Sequence, residues 1–568
     1  MPIKRIRACA NCDTSTIVWQ TDKPIPGCRG FALERQVKGQ ASTSMVPTWV
    51  GFKGQTHKSG ESKPSTVWPI QRYIWSDFLV QSGQTVRYRA IPMLGPATNL
   101  QKAEAGLWSE WTDWVTITTG QTKGFAAYFN RGIVPAQWLA SQNPNKKSLQ
   151  KNINTPGDKN RNFLGGALRP ALLGLLTQAK KDGVEIYASL YELNDPELIA
   201  ALKAIGGKCN LVLGSGAYKG ANKKTHKPAV PDENAAVRKD LQLNSSINVH
   251  DRLVKSPHFA HNKFVVFCDK QEQPSTLWTG STNWTVTGLC TQVNNGIVVE
   301  SPTLALAYRK RWDELKDAGA AYPASLAQDG STPAKTKLGT ADMTAWNAPV
   351  LKLVDLADAT QRINAAKEGV LFLMFNPGPR NTLLNAILAL DPNKLFIHGV
   401  VNQDPGGKKA PLIKITQKGT QLPPKPLSAI LPAALKNPGN WFAKQFTYNM
   451  VMIHSKVVVV DPFGENPVVM TGSHNLGPKA SGKNDDNLLI VEGAGGVASE
   501  YALNILAVFS HYKWLYNLSI KNAKGPKTGS KSSPQYDGNS DDDKWQDRYT
   551  GGVNLREIEF WLATYKAR

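Results

Sequence analysis

Hydrophobic and polar positions divide the chain into three textures. Up to about residue 120, short alternating runs such as "STIVWQ", "GFALERQ", "TVRYRAIPML" and "WTDWVTITT" are separated by turns rich in Gly, Pro and Ser. A period of two, punctuated in this way and with no sustained helical period, predicts an all-β antiparallel sandwich of about 100 residues. From about 121 to 520 the runs alternate in kind: "VEIYASLYEL", "DPELIAALKAI" and "CNLVLGS" in the first half, then "GVLFLMFNPG", "RNTLLNAILALDP" and "KLFIHGVVN" in the second. Strand, helix, strand with short links predicts one βαβ unit per half and a largely parallel, helix-covered α/β sheet. After Asn517, "KNAKGPKTGSKSSPQYDGNSDDDKW" is low in complexity and expected to be mobile, whereas "NLREIEFWLATYKAR" has helical spacing and is expected to dock back.

Each βαβ unit leads through an insertion rich in Lys, Pro and Gly, "AYKGANKKTHKPAVPDENAAVRKD" or "NQDPGGKKAPLIKITQKGTQLPPKPL", that reads as a long surface loop rimming a cleft. An apolar strand follows each loop, in "HFAHNKFVVFCDKQEQPSTLWTGSTNW" and "MIHSKVVVVDPFGENPVVMTGSHN". Side chains two apart on a strand share a face, so His261 pairs with Lys263 and His454 with Lys456. Each unit closes on Gly-Ser-x-Asn, with Ser281 and Asn283 in the first copy and Ser473 and Asn475 in the second. The Ser lies 20 residues after its His in one copy and 19 in the other. A strand end that merely meets solvent would have to be invoked twice, at nearly equal spacing.

Composition narrows the class. At 568 residues the chain is long enough for three or four domains, and no stretch approaches the ~20 apolar residues of a membrane span. The N-terminus starts basic but has no apolar signal-peptide core, which predicts a cytoplasmic protein and leaves a specialised export route open. Six cysteines are too few for a disulfide scaffold, and Cys9-x2-Cys12 has no second pair at zinc spacing. No metal or other cofactor is expected. A formal charge of +23 attracts polyanions: nucleic acid, an anionic membrane surface or a phosphate-bearing substrate.

Two histidines and two lysines can meet the demands of phosphodiester cleavage. A neutral imidazole attacks phosphorus, a protonated one serves the leaving oxygen, and fixed cations take the charge of the equatorial oxygens. Asn283 and Asn475 can donate to those oxygens. Taken together, H-x-K, an apolar run, Asp and G-S-x-N, present twice in one chain, resemble the phospholipase D superfamily in its tandem form. The resemblance covers about 400 residues. It implies two lobes related by pseudo-twofold symmetry, a site at their junction, no metal, a phosphohistidine intermediate on one histidine, commonly the first, and supporting roles for Ser281, Ser473, Asp461 and Asp269. The first copy departs from the pattern, since Asp269 stands one residue late and Cys268 takes its slot; either a β-bulge restores the carboxylate or Cys268 occupies the place. The resemblance also implies an acidic residue downstream that orients a histidine. The second copy offers Asp485 or Asp486, the first only Asn294, Asn295 and, further on, Glu300, so the two histidines are expected to be tuned unequally.

The N-terminal region resembles a fibronectin type III domain in "VWQTDKPIPGCRGFALERQ" and "GQTVRYRAIPMLG". In it, Trp108, Trp111 and Trp114 lie where Arg87 and Arg89 can stack between them. The expected organisation is a sandwich over 1–120, a first lobe over 121–335, a second over 336–520 and a flexible tail over 521–568 ending in a short helix. Both motifs in one chain imply a monomer. An anionic phosphodiester is the expected partner, with phospholipid or a membrane surface favoured. DNA or RNA stays open, as does a binding protein whose lobes are inactive.

Overall fold

The alternating N-terminal runs pair into two antiparallel sheets. Ile3–Ala10, Ser15–Thr21 and Ile74–Asp77 form one; Val115–Thr116, Thr85–Leu94, Cys28–Val37 and Thr43–Met45 form the other. Trp19 and Phe31 are fully buried and meet edge to face at 5.5 Å. The computed structural model describes residues 3–55, 61–132, 146–217, 232–378, 382–402, 427–430, 452–523 and 538–563.

The run "WTDWVTITT" is a strand only at Val115–Thr116. Upstream the chain touches the facing strand once every three residues, Ser109 N–H on the Ala90 carbonyl and Thr112 N–H on that of Tyr88, while the facing strand advances by two. Trp108, Trp111 and Trp114 therefore form a ladder with Arg87 and Arg89 interleaved, the guanidinium carbons 4.5–4.8 Å from the indole centroids.

Two α/β sheets follow. The first runs in the order Phe125–Phe129, Asn295–Val299, Pro274–Gly280, Lys263–Cys268, Ile186–Leu190, Cys209–Gly214, Asn248–Arg252. The second runs Ala334–Leu338, Ala341–Ala348, Asn484–Glu492, Val468–Gly472, Lys456–Val460, Gly369–Met374, Phe396–Val401, Leu427–Ile430. In each, the last two pairings are parallel and the rest antiparallel. The sheets are thus mixed, not largely parallel. Parallel pairs are joined across a helix, Pro196–Ile205 and Ala235–Asn244 in the first lobe and Thr382–Ala389 in the second, whereas a short turn joins each motif strand to the next and permits only a hairpin.

Of the first insertion, residues 218–231 lie outside the described residues and its end is helical, Ala235–Asn244. The second lies almost wholly outside them. Part of the tail expected to be mobile is ordered: residues 521–523 belong to the helix Gly495–Ala523, and 538–545 dock on the sandwich. There Asn539 donates to the Pro69 carbonyl at 2.7 Å and the Trp545 indole to that of Cys28 at 2.9 Å, so a polar run finds backbone partners. The helix Gly552–Leu562 follows. No helix among the described residues is long and apolar enough to cross a membrane.

Each lobe lends the other a short strand just before its own motif histidine. Phe259–Ala260 runs parallel to Asn484–Asp485, and Met452–Ile453 parallel to Gln292–Val293. His261 N–H then bonds the Asp485 carbonyl at 2.9 Å, and His454 N–H that of Val293 at 3.0 Å. The result is a two-lobed α/β fold with pseudo-twofold symmetry behind an all-β sandwich. One buried cluster runs through all three, from Ile17 and Phe31 through Phe264 and Tyr308 to Val457 and Leu489.

Candidate active site

The pseudo-twofold brings both motifs to the lobe junction. His261 and His454 are 6% and 4% exposed, and Lys263 and Lys456 are buried behind them. Each lysine donates to the backbone carbonyl of its own histidine at 2.7 Å. Leu190 pairs with Lys263 and Met374 with Lys456, so the residues that follow, Tyr191 and Phe375, reach the site at matching places. Tyr191 lies edge-on to His261 at 4.7 Å with the Lys263 ammonium 4.9 Å over its ring; for Phe375, His454 and Lys456 both values are 4.6 Å.

Each histidine takes its side-chain partner from the opposite lobe. Nδ1 of His261 meets the Asp486 carboxylate at 2.7 Å, and Asp486 also accepts the Ser473 hydroxyl at 2.6 Å and the Asn484 amide at 3.0 Å. Nδ1 of His454 meets the Asn294 side-chain oxygen at 2.9 Å, which also accepts the Ser281 hydroxyl at 2.8 Å. The Asn294 amide nitrogen donates to the Gly288 carbonyl, which assigns its oxygen to His454. Both rings therefore carry hydrogen on Nδ1 and leave Nε2 as the reactive nitrogen.

Electrostatics separate the two. Burial pushes His261 down to about 4, with Asp486 opposing and Lys263 assisting. His454 lies well below the usual imidazole range, because burial, Lys456, Lys263 and His261 all act one way with no carboxylate to offset them. Burial also lowers Lys263 to about 8 against the pull of Asp486 and Glu192, and drives Lys456 well below the ordinary range, with Lys263 adding to it.

The remaining sequence candidates do not all reach the histidines. Asn283 is buried and donates to Glu192 Oε2 at 2.7 Å; the Asn475 side-chain oxygen is buried with no hydrogen-bond partner among the described residues. Asp485 does not reach a histidine, since it forms a buried two-point ion pair with Arg252. Asp461 lies at the far end of its strand, where it accepts the backbone N–H groups of Lys367, Glu368 and Gly369 at 2.7–2.8 Å. In the first copy Cys268 takes that backbone place, its N–H on the Glu185 carbonyl as that of Asp461 is on Gly369. The ladder does shift register there, but Asp269 only caps its own turn, accepting from Gln271 and Gln273 at 2.9 Å. Cys9 and Cys12 are free thiols, and no group of three or more metal-ligating side chains occurs among the described residues. Sequence reasoning missed Tyr191, Phe375 and Glu192, whose one signal was their matching place after the first strand of each βαβ unit.

A family profile described as "Cardiolipin synthase, PLD-like domain" matches residues 172–316 and 359–511, more than half of the chain, with one motif in each segment. The chain belongs to the phospholipase D superfamily. Among solved structures, this superfamily member aligns with phosphatidylserine synthase of Haemophilus influenzae Rd KW20 at 13% identity, over 63% of this chain and 91% of that one, with a TM-score of 0.41. It aligns with yeast tyrosyl-DNA phosphodiesterase at 10% identity over 55% and 82%, TM-score 0.30. With Nuc of Salmonella typhimurium, a phospholipase D family member, the values are 16%, 31%, 95% and 0.19. No curated protein sequence matches the chain.

Proposed function

We propose that the protein cleaves or transfers phosphodiesters through a covalent phosphohistidine, with phospholipid as the substrate. The unequal partners of the two histidines carry this reading. Nε2 of His261 attacks phosphorus while its Nδ1–H stays on Asp486, and the carboxylate balances the charge that the ring gains as the N–P bond forms. His454 is a poor base until the phosphate anion enters beside it; it then holds a proton and passes it to the leaving alkoxide as the P–O bond breaks. Water or an alcohol next gives its proton to His454 and displaces His261 from phosphorus. Lys263, Lys456, Asn283 and Asn475 hold the non-bridging oxygens, Ser281 and Ser473 fix the partners of the two histidines, and Asp461 holds the backbone at the far end of its strand. The scheme calls on no cofactor and works in a monomer.

Phospholipid is favoured by the description of the matching family and by the two motifs in one chain, with the basic surface docking on an anionic membrane. Net charge of +23 favours a second reading, a nuclease, because cationic surfaces bind phosphate backbones strongly. The test is turnover in EDTA on mixed phospholipid vesicles and, in parallel, on labelled single- and double-stranded DNA and RNA, with His261→Ala and His454→Ala as controls. Head-group release abolished by both variants is expected. Nucleic-acid cleavage with silent vesicles would replace the substrate, and folded protein inert on all of them would leave the lobes as a binding scaffold.

A further inference from the structure

Negative charge is placed unequally about the pseudo-twofold. Glu192 follows Tyr191, whereas Asn376 follows Phe375 at the matching position. Asn376 accepts from the Asn402 amide at 3.2 Å, while Glu192 holds the amide of Asn283 at 2.7 Å. Its charge also reaches both lysines, supporting protonation of Lys263 and of Lys456. Asp486 is the other carboxylate with that reach, so with both lysines protonated and both histidines neutral the two ammonium groups and two carboxylates cancel.

Asp486 has a task at His261, but Glu192 takes no part in the proton transfers and weakens the attraction for an anion. The difference between substrate and product gives it one. A phosphodiester carries a single negative charge, whereas a phosphomonoester, the product of hydrolysis, loses a second proton near pH 6. At a given distance a dianion meets twice the repulsion of a monoanion. Between two buried lysines, a dianionic product would otherwise be held more tightly than the substrate that gave rise to it.

We infer that Glu192 is a specificity-determining residue that lets the site accept monoanionic phosphodiesters and expel dianionic monoesters. This rests on reading the site as a phosphodiesterase. The test uses full-length protein, bis(4-nitrophenyl) phosphate as substrate and phenyl phosphate as competitor. At pH 7.5, where the competitor is a dianion, Glu192→Gln should tighten its Ki about tenfold relative to the KM of the diester, whereas Glu192→Asp should stay near wild type. At pH 5, with the competitor a monoanion, wild type and Glu192→Gln should agree within about twofold. A ratio that moves equally at both pH values would mean that Glu192 only positions Asn283, and an unchanged ratio would give it no role; either overturns the inference. Calorimetry on wild type alone checks it without a variant: tighter binding of phenyl phosphate at pH 7.5 than at pH 5 contradicts it. Absence of diester turnover by folded wild type would overturn the phosphodiesterase reading itself.

Discussion

His454 hydrogen-bonds the amide oxygen of Asn294 at 2.9 Å, in the place where a carboxylate, Asp486, holds His261 at 2.7 Å. Geometry is thus duplicated across the pseudo-twofold while charge is not. An amide orients the ring as a carboxylate does but leaves a bound proton unstabilised, which suits the role of acid proposed for His454.

Substituting Asn294→Asp would make the pair symmetric. A carboxylate at this distance raises an imidazole pKa by about one to three pH units. In the proposed scheme His454 is protonated in the substrate complex, so the alkaline limb of the kcat profile should move upward by about one pH unit or more. A profile that does not move would remove Asn294 from the proton chemistry.

Lys456 should cost stability in return for binding. Its folded-state pKa is depressed by burial and by Lys263, so the unfolded chain takes up a proton more readily than the folded one. A base shifted in this direction lowers stability at every pH below its unfolded value of about 10.4, and the loss fades as pH rises toward that value. Lys456→Met should therefore raise the melting temperature at pH 7 while lowering kcat/KM on bis(4-nitrophenyl) phosphate about 100-fold or more. A lower melting temperature at pH 7 would show that the lysine is a net stabiliser.

Asp461 and Asp269 occupy related motif positions but should differ in effect. Asp461→Ala strands three backbone N–H groups and should cost about 2–4 kcal/mol in urea unfolding, with kcat per folded molecule kept within about threefold. Asp269→Ala removes only a turn cap and should cost less than about 1 kcal/mol. A large drop in kcat for Asp461→Ala would place its carboxylate in the chemistry instead.

Features that recur were legible before folding. His261, Lys263 and Asn283 announced themselves because His454, Lys456 and Asn475 repeat them. The choice between Asp485 and Asp486 was not legible, because adjacent residues on a strand face opposite ways and only the fold puts Arg252 on one side and His261 on the other. Glu192 sits just past a strand end, outside any motif. Cys268 was open in the sequence because a bulge and a substitution read alike, and the backbone bond to Glu185 decides it. The sheets were misread because their parallel part has the stronger pattern, strand and helix in alternation, while their antiparallel part is built from hairpins.

Buried neutral histidines should make the protein acid-sensitive. His398 lies between Phe396 and Phe509, its ring nitrogens lack hydrogen bonds among the described residues, and burial pushes its pKa down to about 3 against the opposing charge of Glu557. A histidine lowered in this way leaves stability intact above about 6.5 and erodes it as pH falls toward the folded value. His398→Phe should therefore gain about 2 kcal/mol relative to wild type between pH 7.5 and pH 4.5. An equal difference at both pH values would show that His398 does not titrate on unfolding.

The most direct measurement is the site of the covalent adduct. His454→Asn protein is mixed with bis(4-nitrophenyl) phosphate, whose leaving group needs no acid, quenched in alkaline denaturant and digested for mass spectrometry. Phosphoryl ester on His261 is the expected result. An adduct on His454 in wild type with none on His261, or continued turnover by His261→Ala, would contradict the assignment of His261 as nucleophile.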